Sequence, residues 1–169
     1  KLITRGKLLP ELWGKTLVCR DFFEVSPDSD RYEVIIGNPP WTSRRGQARS
    51  SVKWTKKAGY PMPGGEDAWA FSWKALSHLA DGGLVAFLLP AMGFLHNHAK
   101  NTVEARDAFF RKSQVRRVVN FADLRFQLFE KAHRPTALII YASANGGDLP
   151  YRFSYWAPKA VLKLHFRGA

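Results

Sequence analysis

The chain has 169 residues, 46% of them hydrophobic, and a net charge of +12. This length predicts about one domain with a sizeable core, and the charge predicts an anionic partner, nucleic acid before an acidic membrane surface. The single cysteine excludes an internal disulfide, no apolar run is long enough to span a membrane, and the N-terminus lacks a hydrophobic signal core, so we expect a cytoplasmic protein without membrane contact.

The first predicted elements are two strands and a long polar segment. Residues 15–23 predict a strand that would bury Cys19, and residues 30–37 predict a second, short buried strand around the β-branched run 34–36. Residues 42–65 are polar and contain glycines and prolines, which predicts a loop.

Helices and strands alternate in the remainder. Apolar residues at helical spacing predict a helix over 66–80, which Gly82 and Gly83 would end. A second helix is predicted over 103–113, and strands over 84–90, 115–121, 136–142 and 149–156. This order predicts an α/β sheet with helices on its faces. Since the last strands follow one another without a helix, we expect part of the sheet to be antiparallel.

A rigid turn ends the strand over 30–37, in the sequence Asn38-Pro39-Pro40-Trp41. Ligands of α/β sheets bind outside the carboxyl ends of the strands, where this turn would lie. Each proline fixes its own φ and restricts the residue before it, so the turn presents two acceptors, the Asn38 side-chain oxygen and the Pro39 carbonyl. Two convergent acceptors suit a substrate amine, and Trp41 offers a flat face to a planar group. An ordinary loop with a half-buried tryptophan is the alternative.

The segment after this turn is strongly basic. Between Thr42 and Gly65 there are six basic residues and no acid. Such a segment would suit a phosphate backbone, and a solvated loop is the alternative. The residues that we expect to contact a nucleic-acid backbone here are Arg44, Arg45, Arg49 and Lys53.

The polar residues elsewhere favour simpler interpretations. His96 and His98 lie in a polar stretch without a facing pair of ligands, so we expect no metal site. Asp67 is interpreted as a charge at the start of a helix rather than as a general base.

The order of these motifs resembles that of the γ-class N6-adenine DNA methyltransferases, which include type I and type IIG restriction–modification enzymes. The resemblance covers residues 15–143. It implies a partial Rossmann-like methyltransferase sheet and catalysis by the Asn38–Trp41 turn. It also implies that Asp21 and Phe22 bind the adenine of S-adenosylmethionine, and that Phe129 packs on a flipped target base in double-stranded DNA.

One departure concerns the cofactor. The family places a glycine-rich loop before the segment that matches residues 19–23, and nothing in this sequence resembles it. We therefore expect a partial catalytic domain over 1–158 with a C-terminal extension over 159–169, inactive alone and completed by an N-terminal cofactor-binding segment or subunit. Two alternatives stay open, namely glutamine N5-methylation of a protein and a non-catalytic DNA-binding fragment.

Overall fold

The structure is a computed structural model that describes residues 3–4, 7–8, 12, 14, 16–27, 31–42, 49–128, 134–144 and 151–160. Its strands are β1 (Ile3–Thr4), β2 (Lys7–Leu8), β3 (Tyr32–Gly37), β4 (Leu79–Pro90), β5 (Ser113–Asn120), β6 (Thr136–Ser143) and β7 (Ser154–Trp156). Its α-helices are α1 (Ser50–Ala58), α2 (Asp67–Ser77), α3 (Lys100–Lys112) and α4 (Arg125–Leu128). In these ranges no helix is long and apolar enough to cross a membrane.

The main sheet is mixed, as the sequence predicts. Its order is β3-β4-β6-β5-β7, while β1 and β2 form a separate antiparallel pair. Strand β3 is parallel to β4, and β7 is parallel to β5. Strand β6 runs antiparallel to both β4 and β5. The carboxyl ends of β3, β4 and β5 therefore meet at one edge of the sheet.

Helices α2 and α3 cover one face of this sheet and form the core with it. The Tyr141 hydroxyl of β6 donates to the Ser72 carbonyl of α2 at 3.1 Å. The ring of Phe109 in α3 lies 5.0 Å from that of Tyr141 and 5.2 Å from that of Trp73 in α2. All three rings are buried, so the two helices share one packed aromatic cluster above the central strands.

The opposite face is open at β3. Val34 and Ile36 point away from the helices, and 56% and 78% of their surfaces are exposed. Leu84, which pairs with Val34 across the parallel ladder, is also exposed. Among the described residues β3 pairs only with β4. An apolar edge strand of this kind is a surface on which another chain segment can pack.

Two predictions for the first half of the chain are wrong. Residues 15–23 form no continuous strand in their described part; Phe22–Glu24 is a 3₁₀ turn instead, and Cys19 is exposed. Residues 42–65 are not one loop, because α1 occupies 50–58 and a 3₁₀ turn occupies Pro63–Gly65. Residues 43–48 lie outside the described part.

The predicted helix over 66–80 forms but ends earlier, at Ser77. Gly82 and Gly83 do not end it; they lie inside β4, which begins at Leu79. A Cβ on Gly83 would come within 2.8 Å of the Tyr32 carbonyl oxygen, so only glycine lets β3 approach here. Gly82 has a φ of +74°, at a point where the register between β3 and β4 shifts.

Candidate active site

The Asn38–Trp41 turn leaves β3 at the carboxyl edge of the sheet. Pro39 is buried, whereas Asn38 on one side of it and Pro40 on the other are exposed. The Asn38 side chain makes no hydrogen bond with another described residue. The buried proline therefore anchors the turn, and the Asn38 amide faces outward with its oxygen available to a ligand.

Trp41 is fixed to the neighbouring strand. Its indole N–H donates to the Leu88 carbonyl of β4 at 3.3 Å, and its half-buried ring packs against the core. Because this bond and the packing restrain the ring, the exposed part of Trp41 presents a flat surface in a defined orientation close to Asn38.

Asp21 and its neighbours line a small open pocket. The Asp21 carboxylate caps the 3₁₀ turn by accepting from the Phe23 N–H at 2.9 Å. The pocket has a volume of about 260 Å³. Its lining consists of Asp21, Phe23, Arg49, Ser50, Ser51, Asp67 and Phe71. Two carboxylates and two aromatic rings thus share one concave surface, and one of the carboxylates, Asp67, is paired with Arg49.

The two phenylalanines after Asp21 have different environments. Phe22 stacks on Phe71, with ring centroids 5.6 Å apart and planes 16° from parallel, and it also lies 5.1 Å from the His78 ring. Phe23 meets Phe71 edge to face at 4.9 Å and lines the pocket. The ring that shares the pocket with Asp21 is therefore that of Phe23, whereas the sequence resemblance assigns this place to Phe22.

Asp67 begins a helix, as the sequence predicts, but the sequence did not reveal the partners of its carboxylate. It begins α2 and is only 6% exposed. Its Oδ2 accepts from the Thr42 hydroxyl at 2.6 Å and forms an ion pair with Arg49, while its Oδ1 accepts from the Ser51 hydroxyl at 2.6 Å. The six basic residues without an acid between Thr42 and Gly65 were the available signal, because Asp67, close after this segment, becomes the counterion of one of them, Arg49.

The predicted DNA-contacting residues fall into three groups. Arg44 and Arg45 lie outside the described residues. Arg49 is largely buried, since its guanidinium binds Asp67 and also donates to the Gly65 carbonyl at 2.6 Å, so a phosphate would have to replace these bonds. Lys53 is exposed on α1, beside Lys56 and Lys57.

The aromatic residues of the basic segment point into the protein. Tyr60 stacks on Trp73 at 4.7 Å and on Trp54 at 5.6 Å. These contacts attach α1 to α2. The solvent side of α1 is left with lysines, which makes it a basic surface rather than an aromatic one.

A second small pocket lies beside the start of α2. It has a volume of about 150 Å³. Glu66 and Asn97 contribute to its lining. Burial raises the pKa of Glu66 above its usual value, although the Arg134 guanidinium, 2.6 Å away, acts to lower it.

Polar side chains also meet where β4 and β5 end. The Asn120 amide donates to the Tyr155 hydroxyl at 2.7 Å and lies 3.3 Å from Nε2 of His96. The described part of the chain contains no group of three or more histidines, cysteines and acids that could hold a metal ion. Phe129 lies outside the described residues, one position after the end of α4.

Comparisons with solved structures support the fold. A Listeria monocytogenes protein assigned to the class I S-adenosylmethionine-dependent methyltransferases matches with 14% identity and a TM-score of 0.56, over 78% of this chain and 38% of its own. A component of a type I restriction–modification system matches with 16% identity and a TM-score of 0.56, over 83% of this chain and 27% of its own. The type I methyltransferase subunit from Streptococcus thermophilus matches with 18% identity and a TM-score of 0.51, over 70% of this chain and 25% of its own.

These neighbours are much longer than the chain, which spans between about a quarter and two fifths of their length. At such low identities they show the methyltransferase fold and no more. No curated protein sequence matches this chain. A family comparison is more specific: residues 11–129, well over half of the chain, match the family described as Eco57I restriction-modification methylase. The match includes both the Asp21 pocket and the Asn38–Trp41 turn, and the chain belongs to the Eco57I restriction-modification methylase family.

Proposed function

We propose that this protein is the substrate-facing part of a DNA methyltransferase that modifies the N6 amine of an adenine in a restriction–modification system. The observation that carries the proposal is the Asn38–Trp41 turn, an exposed amide and a fixed indole at the carboxyl edge of a methyltransferase-type sheet. Membership of a restriction–modification methylase family supports the same assignment.

The Asn38 side chain has the chemistry that an adenine amine needs. The N6 lone pair of adenine is delocalised into the ring, so the amine is a poor nucleophile. If the Asn38 oxygen and the Pro39 carbonyl each accept one N6 hydrogen, the nitrogen becomes more pyramidal and its lone pair points at the methyl donor. The exposed Asn38 amide, which has no bond to another described residue, can make this contact without first losing one.

A base in a duplex must leave the stack before it can reach Asn38. Trp41 offers the flat face on which an extruded adenine would stack, worth about 1–3 kcal/mol for a base on an aromatic ring. We assign Phe129 to the opposite face, following the sequence resemblance. Two rings around one base would fix its plane and so direct the N6 amine toward Asn38.

The Asp21 pocket fits the adenine end of S-adenosylmethionine. The carboxylate suits an exocyclic amine, and the rings of Phe23 and Phe71 suit a purine face. Small-molecule sites usually have volumes of about 300–1,000 Å³, so a pocket of about 260 Å³ fits only part of this cofactor. When bound, the cofactor supplies an electrophilic methyl group. The role of Asp21 is to orient the cofactor by binding its adenine end.

The remaining part of the cofactor needs further residues. Strand β3 has an open edge among the described residues and exposes Val34 and Ile36. We propose that an N-terminal segment or a separate subunit packs here, adds strands beside β3 and brings the glycine-rich loop for the methionine end. The short span of this chain relative to its structural neighbours is consistent with this arrangement.

The net charge of +12 and the exposed lysines of α1 favour DNA over a protein substrate. The test uses the complete protein, labelled S-adenosylmethionine and either duplex DNA or a glutamine-containing peptide, followed by mass spectrometry of the products. We expect N6-methyladenine in the DNA and an unmodified peptide. Methylglutamine would favour the alternative chemistry, and binding of DNA without any methylated product would favour a non-catalytic role.

A further inference from the structure

Three parts of the chain meet at the Asp67 carboxylate, and we call these contacts the Asp67 cluster. They are Thr42, which directly follows the Asn38–Trp41 turn; Arg49 and Ser51 at the start of α1; and Asp67 itself at the start of α2. The Asp67 N–H also donates to the Thr42 carbonyl at 3.0 Å. Thr42 is therefore held through both its backbone and its side chain.

Burial makes this arrangement hard to replace. Asp67 has 6% of its surface exposed, and the Arg49 guanidinium is also largely enclosed. A buried carboxylate needs an opposite charge and further hydrogen-bond donors, and here Arg49, Thr42 and Ser51 supply them. The Thr42 hydroxyl donates to Asp67 Oδ2 and the Thr42 carbonyl accepts from the Asp67 N–H, so the cluster favours a single position for Thr42.

The cluster also forms part of the wall of the pocket that contains Asp21. Arg49, Ser51 and Asp67 line this pocket, and Asp67 is also the residue that accepts from the Thr42 hydroxyl. The residues that hold the end of the Asn38–Trp41 turn are thus the same residues that would contact a ligand beside Asp21. Any shift of Asp67 would change both places at once.

We propose that Asp67 is a positioning residue that fixes the Asn38–Trp41 turn through Thr42 and couples it to the Asp21 pocket. This inference rests on the proposed methyl transfer. Asp67 does not touch the target base in this scheme; it holds the segment that carries Asn38 at the distance that transfer requires. A misplacement of about 1 Å in a reacting geometry costs about 100-fold in rate.

The test compares two substitutions at Thr42 in the complete protein. Thr42→Val keeps the shape of the side chain and the Asp67–Arg49 ion pair but removes the hydroxyl donor, whereas Thr42→Ser retains the donor. Ser77→Ala is the matched control, because its hydroxyl donates to the Lys74 carbonyl at 2.7 Å at the other end of α2. Each variant is measured for kcat, for KM toward DNA and for hydrogen exchange over residues 38–42, where the exchanging amides are those of Asn38, Trp41 and Thr42.

We expect Thr42→Val to lower kcat about 10- to 100-fold, with little change in KM, and to speed exchange of the turn. Thr42→Ser and Ser77→Ala should resemble the parent in both measurements. Asp67→Asn should lower kcat at least as far, because it removes the charge that binds Arg49 and leaves one acceptor oxygen for Thr42 and Ser51.

Unchanged exchange over 38–42 in Thr42→Val would overturn the proposal, as would an equal effect of Thr42→Ser. If the parent protein transfers no methyl group at all, the proposed function fails, and the exchange data still decide whether the cluster holds the turn. If Asp67→Asn does not fold, the Thr42 pair alone gives the result.

Discussion

The exposed lysines of α1 provide a quantitative test of DNA binding. Lys53, Lys56 and Lys57 are spaced i, i+3 and i+4, so they lie on one side of the helix, and all three are exposed. Replacing them together with glutamine removes three positive charges while keeping long, helix-compatible side chains. The buried residues of α1, Ser51 and Thr55, are unchanged.

The size of the effect follows from counterion release. Each phosphate contact contributes about 0.9 to the slope of log K against log salt concentration, so three contacts contribute about 2.7. Between 50 and 200 mM salt, the fold-loss of DNA affinity should therefore be about 40 times larger for the parent than for the triple variant. If only one of the lysines contacts phosphate, the fold-loss of affinity of the parent is about 3.5 times that of the variant.

The assay is fluorescence anisotropy with a labelled duplex at four or more salt concentrations. The matched control is a triple glutamine variant at Arg111, Arg116 and Arg152, which removes the same charge from exposed sites elsewhere. We expect the control to reduce the slope less. An unaltered slope in the α1 variant, or equal changes in the two variants, would refute the assignment of α1 to the DNA interface.

Three further predictions concern single residues. Because the pKa of Glu66 is raised above 4.5 in the folded protein, ionisation of this carboxyl lowers the stability as the pH rises through the folded-state pKa. The urea midpoint of Glu66→Gln should therefore rise relative to that of the parent protein between pH 4 and pH 7. An opposite trend would mean that the ion pair with Arg134 dominates. Asp21→Asn should weaken S-adenosylmethionine binding about 10- to 100-fold by calorimetry on the complete protein, as loss of a charged hydrogen bond does, and equal binding would contradict the pocket assignment. Phe129→Ala should reduce the fluorescence rise of 2-aminopurine at the target position, and an unchanged rise would make Phe129 a core residue.

Hydrophobic spacing predicted most of the sheet and two of its helices. The β-branched residues Val34, Ile35 and Ile36 identified β3, and the apolar spacing within 67–77 identified α2. The α2 signal is reliable because its apolar side chains contact the core, whereas β3 is a strand but not the buried one that its β-branched run predicts, since Val34 and Ile36 are exposed. The β3 signal also located the Asn38–Trp41 turn at the carboxyl end of its strand.

Helix α1 could not be found in this way, because the two residues that it buries fully are polar. Its buried residues are Ser51 and Thr55, and the Thr55 hydroxyl donates to the Ser51 carbonyl at 2.9 Å. The Ser51 hydroxyl donates to Asp67, so both polar side chains are satisfied in the fold and leave no apolar period in the sequence. Asp67 was missed for a related reason, since a carboxylate at a helix start is usually solvated, and only the fold brings Thr42, Arg49 and Ser51 to it.

The 15–23 segment shows a different difficulty. Its apolar and aromatic residues have the composition of a strand, but Asp21 accepts from the Phe23 N–H and so ends any extended run at a capped turn. Side-chain capping competes with strand pairing, and composition alone does not show which one prevails. The consequence for the site is that Phe23, rather than Phe22, shares the pocket with Asp21.

The central claim is that Asn38 activates the amine of an adenine in DNA. The most direct measurement is single-turnover methyl transfer by the complete protein with Asn38→Ala, beside Asn38→Asp, which keeps an acceptor oxygen at the same place. We predict that Asn38→Ala loses about 10²–10³ in rate, as removal of one preorganised transition-state contact does, while its DNA affinity is unchanged and Asn38→Asp retains more activity. Near-normal transfer by Asn38→Ala would contradict the mechanism.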